Sequence, residues 1–249
     1  MILKRSVLTR FLFILAGFTV IFSVLSATPG AAVAKSPVRD TTIVSTPTDV
    51  NAALYESLSL DSLQLSQAAF DAALKGYYKL LEAGAIAKDD VLSIVDFSLP
   101  SSKKRLFVLD LEAGKLLFNT FVSHGKNSGI DRATKFSNDV NSFKSSLGFY
   151  VTGNTYKGQH GYSLKLLGLE KGINDNAFER GIVIHAADYV NEKIAATRGY
   201  IGRSLGCPAL PVKLYRPIIQ EIKDGSCLFV YAPDSAYSSR SALLGQGRA

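Results

Sequence analysis

Seven short apolar runs, separated by turns, occupy most of the chain after residue 90. Each is six to nine residues long and rich in Val, Ile, Phe and Tyr, which predicts β-strands. They span residues 91–97, 105–111, 115–123, 147–152, 162–169, 181–186 and 226–232. In this half only residues 212–223 have helical spacing, with Gly225 just beyond their end. The pattern predicts a mainly β domain over residues 90–233 with one C-terminal helix.

The segments that flank this domain have other patterns. Apolar residues recur at three- and four-residue spacing from Asp49 to Gly84, which predicts a helical N-terminal segment over residues 49–88. Residues 35–48 are rich in Ser, Thr and Pro and are predicted to be a linker. Residues 234–249 are small and polar, which predicts a flexible tail.

Residues 1–34 are predicted to be a signal peptide. Three basic residues precede an unbroken apolar run from Phe11 to Leu25, and small residues follow it as far as Ala34. This order of a positive, an apolar and a small-residue region is typical of a secretory signal. The run is also close to membrane-spanning length, so an uncleaved anchor remains the alternative. Either interpretation places the bulk of the protein across the inner membrane, in the periplasm or cell envelope.

Net charge argues against a nucleic-acid partner. The chain has 28 Lys+Arg and 21 Asp+Glu. Cleavage after Ala34 would remove three basic residues and no acidic residue, so the mature chain would have a net charge of +4. These charges are scattered along the sequence, whereas nucleic-acid-binding proteins cluster them. A hydrophobic fraction of 47% excludes a chain that is disordered throughout.

The two cysteines have different settings. Cys227 lies within an apolar strand-like run and is predicted to be a buried core thiol. Cys207 lies in a turn between Gly206 and Pro208, where a thiol is displayed for attack. An oxidising compartment would also permit a Cys207–Cys227 disulfide, and on setting alone the two interpretations of Cys207 are about even.

The presence of His185 favours the interpretation of Cys207 as a nucleophile over its interpretation as half of a disulfide. His185 lies at the end of the apolar run Gly-Ile-Val-Ile-His-Ala, 22 residues before Cys207. At neutral pH only a small fraction of a free thiol is ionised, because its pKa is about 8.5. An adjacent imidazole can take the thiol proton and stabilise the ion pair that results. His185 and Cys207 are therefore candidates for a base and a nucleophile.

The sequence Gly-Ile-Val-Ile-His-Ala followed by Gly-Arg-Ser-Leu-Gly-Cys-Pro-Ala-Leu resembles the active-site region of L,D-transpeptidase catalytic domains of the YkuD type. It is most similar to the divergent branch whose motif ends in Ser-x-Gly-Cys-Pro-Ala. The resemblance covers roughly residues 90 to 232. Three upstream motifs support it: Val-Ser-His-Gly-Lys-Asn-Ser-Gly from Val122, Ser-Ser-Leu-Gly-Phe-Tyr from Ser145, and Tyr-Lys-Gly-Gln-His-Gly from Tyr156.

The resemblance implies an acyl transfer on peptidoglycan stem peptides without a cofactor. Cys207 would form a thioester with the third residue of a stem, and a neighbouring stem would resolve it to a 3–3 crosslink. His185 would be the base, the amides around Gly206 and Cys207 would hold the oxyanion, and Ser204 would orient the turn or the imidazole. Water as the acceptor would give a carboxypeptidase instead.

Two positions depart from the commoner family pattern. Leu205 stands where that pattern has a histidine, and Ala209 stands where it has an Arg or Asn that binds a carboxylate. The candidates to replace that side chain are Arg203, Arg180 and Arg132, since a guanidinium suits a carboxylate. Two further residues, His124 and His160, are expected to line the substrate cleft or to contact the loop that bears Cys207.

Three alternatives remain. His124 and Asp131 have the H-x6-D spacing of one family of zinc murein peptidases, but the His-x-His pair that this family also needs is missing. A cell-wall-binding module would have kept the fold without turnover, and a cysteine protease would use the same Cys/His chemistry on protein. Oligomeric state cannot be predicted from this sequence.

Overall fold

The computed structural model describes residues 47–245, with side chains from residue 50 onward. The predicted signal peptide and most of the predicted linker lie outside the described residues. None of the helices within residues 47–245 has both the length and the apolar character needed to cross a membrane.

Two helices precede a mainly β domain, which confirms the predicted fold class. They are α1 (Pro47–Ser57) and α2 (Gln67–Glu82). The strands are β1 (Val91–Asp96), β2 (Leu106–Asp110), β3 (Lys115–Thr120), β4 (Gly148–Gly158), β5 (Gly161–Gly168), β6 (Val183–Ala186), β7 (Ala209–Leu210) and β8 (Cys227–Tyr231). Three short helices lie among or after them: α3 (Glu192–Arg198), α4 (Tyr215–Ile222) and α5 (Ser235–Arg240). Each of the seven predicted runs overlaps a strand, although β4 continues six residues beyond its run, and β7, α3 and α5 were not predicted.

All eight strands form one sheet in the order β3-β2-β1-β8-β4-β5-β6-β7. The last strand, β8, lies in the middle, parallel to β1 and antiparallel to β4. The last two strands in the order, β6 and β7, are parallel to each other. This topology places residues 183–186 and 209–210, which are more than twenty residues apart in the chain, side by side at one end of the sheet.

The core lies between α2 and the centre of the sheet. The buried residues of α2 include Phe70, Leu74 and Tyr77, at the three- and four-residue spacing that predicted this helix. Gly76 lies against the Phe149 ring so closely that a Cβ would be 2.0 Å from Cζ. The absence of a side chain at Gly76 lets the helix approach β4 at this point.

The hairpin of β4 and β5 contains a β-bulge. Thr152 pairs with Leu166 and Thr155 with Leu164, so β4 has one more residue than β5 between these pairs. An extra residue of this kind bends a strand and increases its twist. The hairpin ends in the turn Gly158–Gly161, which carries His160 at its tip.

The predicted flexible tail is wrong for residues 235–240, which form α5. The hydroxyl of Tyr237 donates to Glu170 Oε2 at 3.0 Å, and the Ser241 hydroxyl donates to the other oxygen of the same carboxylate. Glu170 also accepts the Phe149 N–H at 2.8 Å. A buried carboxylate with several donors holds this segment on the domain, a long-range contact that composition does not predict.

Candidate active site

Strands β6 and β7 place the two predicted catalytic residues close together. His185 in β6 pairs with Ala209 of β7 in parallel register. Cys207 precedes Ala209 by two residues, so it lies beside β6 about two residues before His185. With strands about 4.8 Å apart and a rise of about 3.3 Å per residue, the two α-carbons are about 8 Å apart. Rotation about side-chain bonds can bring a thiol and an imidazole together over this distance.

One serine hydroxyl holds the turn that carries Cys207. Ser204 Oγ donates to the Cys207 carbonyl oxygen at 2.6 Å and accepts the Gly206 N–H at 3.1 Å. Gly206 has a φ of +131°, and a Cβ there would lie 3.0 Å from Ile182 Cδ1 and 3.0 Å from the Lys144 carbonyl oxygen. Glycine is required at this position by both its backbone angle and the lack of space.

The Gly206 amide is engaged within the turn. The family resemblance implies an oxyanion role for the amides around Gly206 and Cys207, and in this conformation the Gly206 N–H donates to Ser204. The oxyanion role of Gly206 stays a prediction, and it would require the Gly206 N–H to leave Ser204. In the structure Gly206 shapes the turn, through its positive φ and its hydrogen bond to Ser204.

The Cys207 thiol points toward the start of β6. Its sulfur lies 3.6 Å from the Gly181 carbonyl oxygen, to which the thiol donates. Burial raises the pKa of Cys207, while the Val183 N–H and the Arg180 charge act in the opposite direction. Burial therefore favours the protonated thiol, and its hydrogen bond in this conformation is to the Gly181 carbonyl rather than to the imidazole.

The His185 imidazole has a fixed tautomer. Its Nδ1 lies 2.8 Å from the Ala186 carbonyl oxygen, which can only accept, so Nδ1 carries the proton and Nε2 carries the lone pair. Burial lowers the pKa of His185, and the nearby His160 lowers it further. His185 is therefore neutral at physiological pH, which is the form that a general base requires.

His160 covers this imidazole from the hairpin tip. The two rings are stacked, with centroids 4.2 Å apart and an interplanar angle of 20°. Only 3% of His185 is exposed, whereas His160 itself is exposed. The structure thus places His160 against His185, while its expected role in lining the substrate cleft stays a prediction.

The three candidate arginines are already bonded to the protein. Arg203 Nη1 donates to the Lys126 and Gly129 carbonyl oxygens at 3.1 and 3.0 Å, and Arg132 donates to a carbonyl of the β1–β2 connection. Arg180 donates to the Lys144 carbonyl oxygen at 2.6 Å, and to Ser137, Ser142 and Ser146. Arg180 lies against the turn that carries Cys207, since a Cβ at Gly206 would be 3.4 Å from its Nη2, and it holds the loop of residues 137–146.

His124 does not line a cleft. Its side chain is fully buried, with Nδ1 2.7 Å from Arg105 Nη2 and Nε2 3.3 Å from the Gly129 carbonyl oxygen. Arginine is a donor only, so Nδ1 accepts and the imidazole is neutral. Burial and the Arg105 charge lower the pKa of His124 to about 3. Its main chain does contact the loop that bears Cys207, because the His124 carbonyl accepts the Ser204 N–H at 2.9 Å.

The geometry gives no support to a zinc site at His124. The neighbouring guanidinium of Arg105 occupies Nδ1 and would repel a cation. Among residues 47–245, no three His, Cys, Asp or Glu side chains are grouped so that they could share a metal ion.

The two cysteines are both free thiols. Cys227 is fully buried in β8, and four strand spacings separate β8 from β7 in the sheet. At about 4.8 Å each, these spacings amount to about 19 Å, far beyond the roughly 7 Å that a disulfide can bridge between α-carbons. The disulfide alternative for Cys207 is therefore excluded in this fold.

Two serines that the sequence analysis did not single out also support the turn. Ser123 Oγ accepts the Ala209 N–H at 3.2 Å and lies 3.5 Å from the Cys207 carbonyl oxygen. Ser145 Oγ donates to the Gly206 carbonyl oxygen at 3.3 Å. Both serines lie within the upstream motifs that carry the family resemblance, and these motifs were the one feature of the sequence from which their role could have been predicted.

A family model of the L,D-transpeptidase catalytic domain matches residues 61–231. The chain belongs to this family. The match begins well before residue 90, so it includes α2 with the β-rich part of the L,D-transpeptidase domain. No curated protein sequence matches the chain.

A comparison with solved structures gives matches of low sequence identity and low TM-score. An L,D-transpeptidase from Mycobacterium smegmatis is 16% identical with a TM-score of 0.35, and the match covers 57% of this chain and 59% of that one. The L,D-transpeptidase from Stackebrandtia nassauensis is 16% identical with a TM-score of 0.35, and the match covers 68% of this chain and 69% of that one. The helical cell shape determining protein Pgp2 (K307A mutant) from Campylobacter jejuni is 15% identical with a TM-score of 0.38, and the match covers 66% of this chain and 57% of that one. Membership of the L,D-transpeptidase family rests on the match to residues 61–231.

Proposed function

We propose that this protein is an exported cysteine acyltransferase that joins peptidoglycan stem peptides through 3–3 crosslinks. The observation that carries the proposal is the pairing of β6 with β7 in a domain of the L,D-transpeptidase family, since it sets His185 and Cys207 within reach of each other. Export rests on the signal-like residues 1–34, which agree with a substrate in the cell envelope.

The first half-reaction begins with a rotation of the Cys207 side chain. The sulfur turns from the Gly181 carbonyl toward His185, and the thiol proton passes to Nε2. The thiolate then attacks the carbonyl carbon of the third stem residue and forms a C–S bond, with the charge on the carbonyl oxygen. The Cys207 N–H is the nearest backbone donor of the turn for that oxyanion, because the Gly206 N–H is bonded to Ser204.

Collapse of this intermediate breaks the C–N bond to the terminal D-amino acid. His185 returns its proton to the leaving amine, which leaves a thioester on Cys207. In the second half-reaction the amine of a neighbouring stem attacks the thioester and gives a proton to His185. The C–S bond then breaks, and His185 returns that proton to the departing sulfur. The products are a new amide crosslink and the thiol, so protons and bonds balance over the cycle.

Mass analysis of reaction products tests this proposal. The purified protein is incubated with tetrapeptide-stem muropeptides, and we expect dimers that weigh two monomers less one D-amino acid. Activity should survive EDTA and be abolished by iodoacetamide, because the nucleophile is a thiol. Tripeptide monomers alone would assign a carboxypeptidase instead. Tight binding without any product would contradict an enzyme and indicate a wall-binding module.

Replacing His160 by glutamine is expected to move the acid limb of kcat/KM to higher pH. The base must be neutral, so activity falls as the pH drops through the pKa of His185. That pKa is lowered below its usual 6.5 by burial and by His160. Removing the stacked imidazole lessens both effects, so the pKa rises.

A pH–rate profile of kcat/KM for wild type and His160→Gln measures this shift. Gln159→Ala, at the same hairpin tip, is the matched control and should keep the wild-type acid limb. An acid limb that is unchanged or lower in His160→Gln would contradict the role of the stacked imidazole.

A further inference from the structure

A groove of about 130 Å³ has no role in the mechanism above. Residues 181–183, at the start of β6, line it, and the Cys207 thiol contacts this segment through the Gly181 carbonyl oxygen. Its walls include the rings of Tyr156 and Phe178, which are 38% and 63% exposed. Aromatic side chains on the surface next to a nucleophile are available to a substrate.

The groove contains one basic side chain, that of Lys165. Its Nζ lies 5.8 Å from the centroid of the Tyr156 ring and 5.9 Å from that of Phe178. Lys165 makes no ion pair within residues 50–245, where the ion pairs are Lys88–Glu221 and Lys223–Asp224. A half-buried ammonium held between two rings keeps its hydrogen-bond donors free for an anion.

Strand register places Lys165 on the catalytic face of the sheet. Lys165 pairs directly with Val183, and paired residues project to the same face. His185 follows Val183 by two residues and shares that face as well. Cys207 lies on the far side of Val183, so Lys165 and Cys207 flank the same point of β6, about two strand spacings or 10 Å apart.

The bulge in β4 makes room for this lysine. Gly153 lies opposite Lys165, and a Cβ at Gly153 would be 3.2 Å from the Lys165 Cβ. The glycine leaves space where a larger residue would press on the lysine stem. Lys165 is therefore accommodated in the groove by the backbone of the hairpin.

The usual carboxylate-binding position after the cysteine cannot serve in this chain. Ala209 is fully buried, in a small cluster with Phe121 and Ile201, so no side chain can project from it to a substrate. Arg180 and Arg203 are bonded to carbonyl oxygens of the protein. This leaves the Lys165 ammonium as the cation of the groove.

We infer that Lys165 binds a carboxylate of the stem peptide next to the scissile bond and so selects acidic substrates. The inference rests on the proposed function and adds the residue that recognises the substrate. Two carboxylates of a stem could fill this role, the C-terminal one of the leaving D-amino acid and the side-chain one of a diaminopimelate-type third residue. A third residue that ends in an amine alone would be repelled by Lys165.

Binding measurements without turnover test this inference. In a Cys207→Ala background, ligand-observed NMR gives the Kd of an N-acetylated diaminopimelate–D-alanine dipeptide. Lys165→Met should weaken binding about tenfold or more, and Lys165→Arg should restore most of it. Lys157→Met is the matched control, because Lys157 follows Tyr156 in the same strand and projects to the opposite face.

Amidation of the dipeptide identifies the carboxylate. Blocking the one that Lys165 binds should weaken binding as much as Lys165→Met does, with no further loss when both changes are combined. Either position giving this result supports the inference. Equal Kd values for Lys165→Met and its background, in variants with unchanged thermal unfolding, would overturn it. Wild-type crosslinking in that case would leave the proposed function standing, whereas an intact Lys165 effect without any product would overturn the function alone.

Discussion

Replacing Cys207 by alanine is expected to abolish both dimer and tripeptide formation from muropeptides. Removing the nucleophile of a covalent enzyme lowers kcat on the order of 10⁴-fold or more, because neither acylation nor resolution has another route. The rate of product formation, followed by mass analysis, measures the effect. Binding of the stem peptide should persist, since Cys207 contributes one small side chain to the site.

Cys227→Ala is the matched control for this prediction. Cys227 is fully buried in β8, on the other side of three intervening strands, so its loss should cost stability and leave turnover in place. Iodoacetamide should label the folded protein once, at Cys207, and twice after denaturation. Retained turnover in Cys207→Ala, or its loss in a folded Cys227→Ala variant, would contradict the mechanism.

Acid is expected to destabilise the protein through His124. The pKa of His124 is about 3 in the folded protein and about 6.5 in an unfolded chain, so only the unfolded state takes up a proton as the pH falls below 6.5. The free energy of unfolding should therefore decrease with falling pH, by roughly 4 kcal/mol between pH 7 and pH 3.5 from this group. Above pH 6.5 the imidazole is neutral in both states and has no such effect.

His124→Gln isolates this contribution. The amide can accept from Arg105 and donate to the Gly129 carbonyl, as the neutral imidazole does, but it does not titrate. Urea unfolding of both proteins gives the free energy of unfolding at pH 7 and at pH 4, and the loss in acid is compared between them, with Gln159→Ala at an exposed position as a control. A wild-type protein that loses no more stability in acid than His124→Gln would contradict the assigned protonation state.

Local pattern was sufficient for the larger elements of the fold. Strands such as β1 and β8 are rich in β-branched and aromatic residues between turns, and α2 has a regular apolar stripe, so each could be recognised from its own residues. Strand β7 has only two residues, and α3 and α5 have seven and six. Segments this short carry too few positions for a periodicity, and their structure depends on long-range contacts such as that of Tyr237 with Glu170.

The role of His124 shows the same limit at the level of a side chain. In the sequence it is a polar residue between serine and glycine, as suitable for a cleft as for the interior. Its burial depends on Arg105, nineteen residues away and brought to it by the pairing of β2 and β3. No spacing rule relates these two residues, because the register of a hairpin sets their distance.

The sequence by itself determined the mainly β class and indicated the two residues on which the proposed chemistry depends, whereas the signal peptide over residues 1–34 stays a prediction. His185 and Cys207 lie in two short motifs that are close together in the chain, so their resemblance to the L,D-transpeptidase family can be recognised from the sequence. Only the tertiary structure decided what surrounds them: the cover of His160, the use of the Gly206 amide within the turn, and the position of Lys165. Each of these depends on which strands are neighbours and in what register, and hydrogen bonding between residues distant in the chain fixes that order.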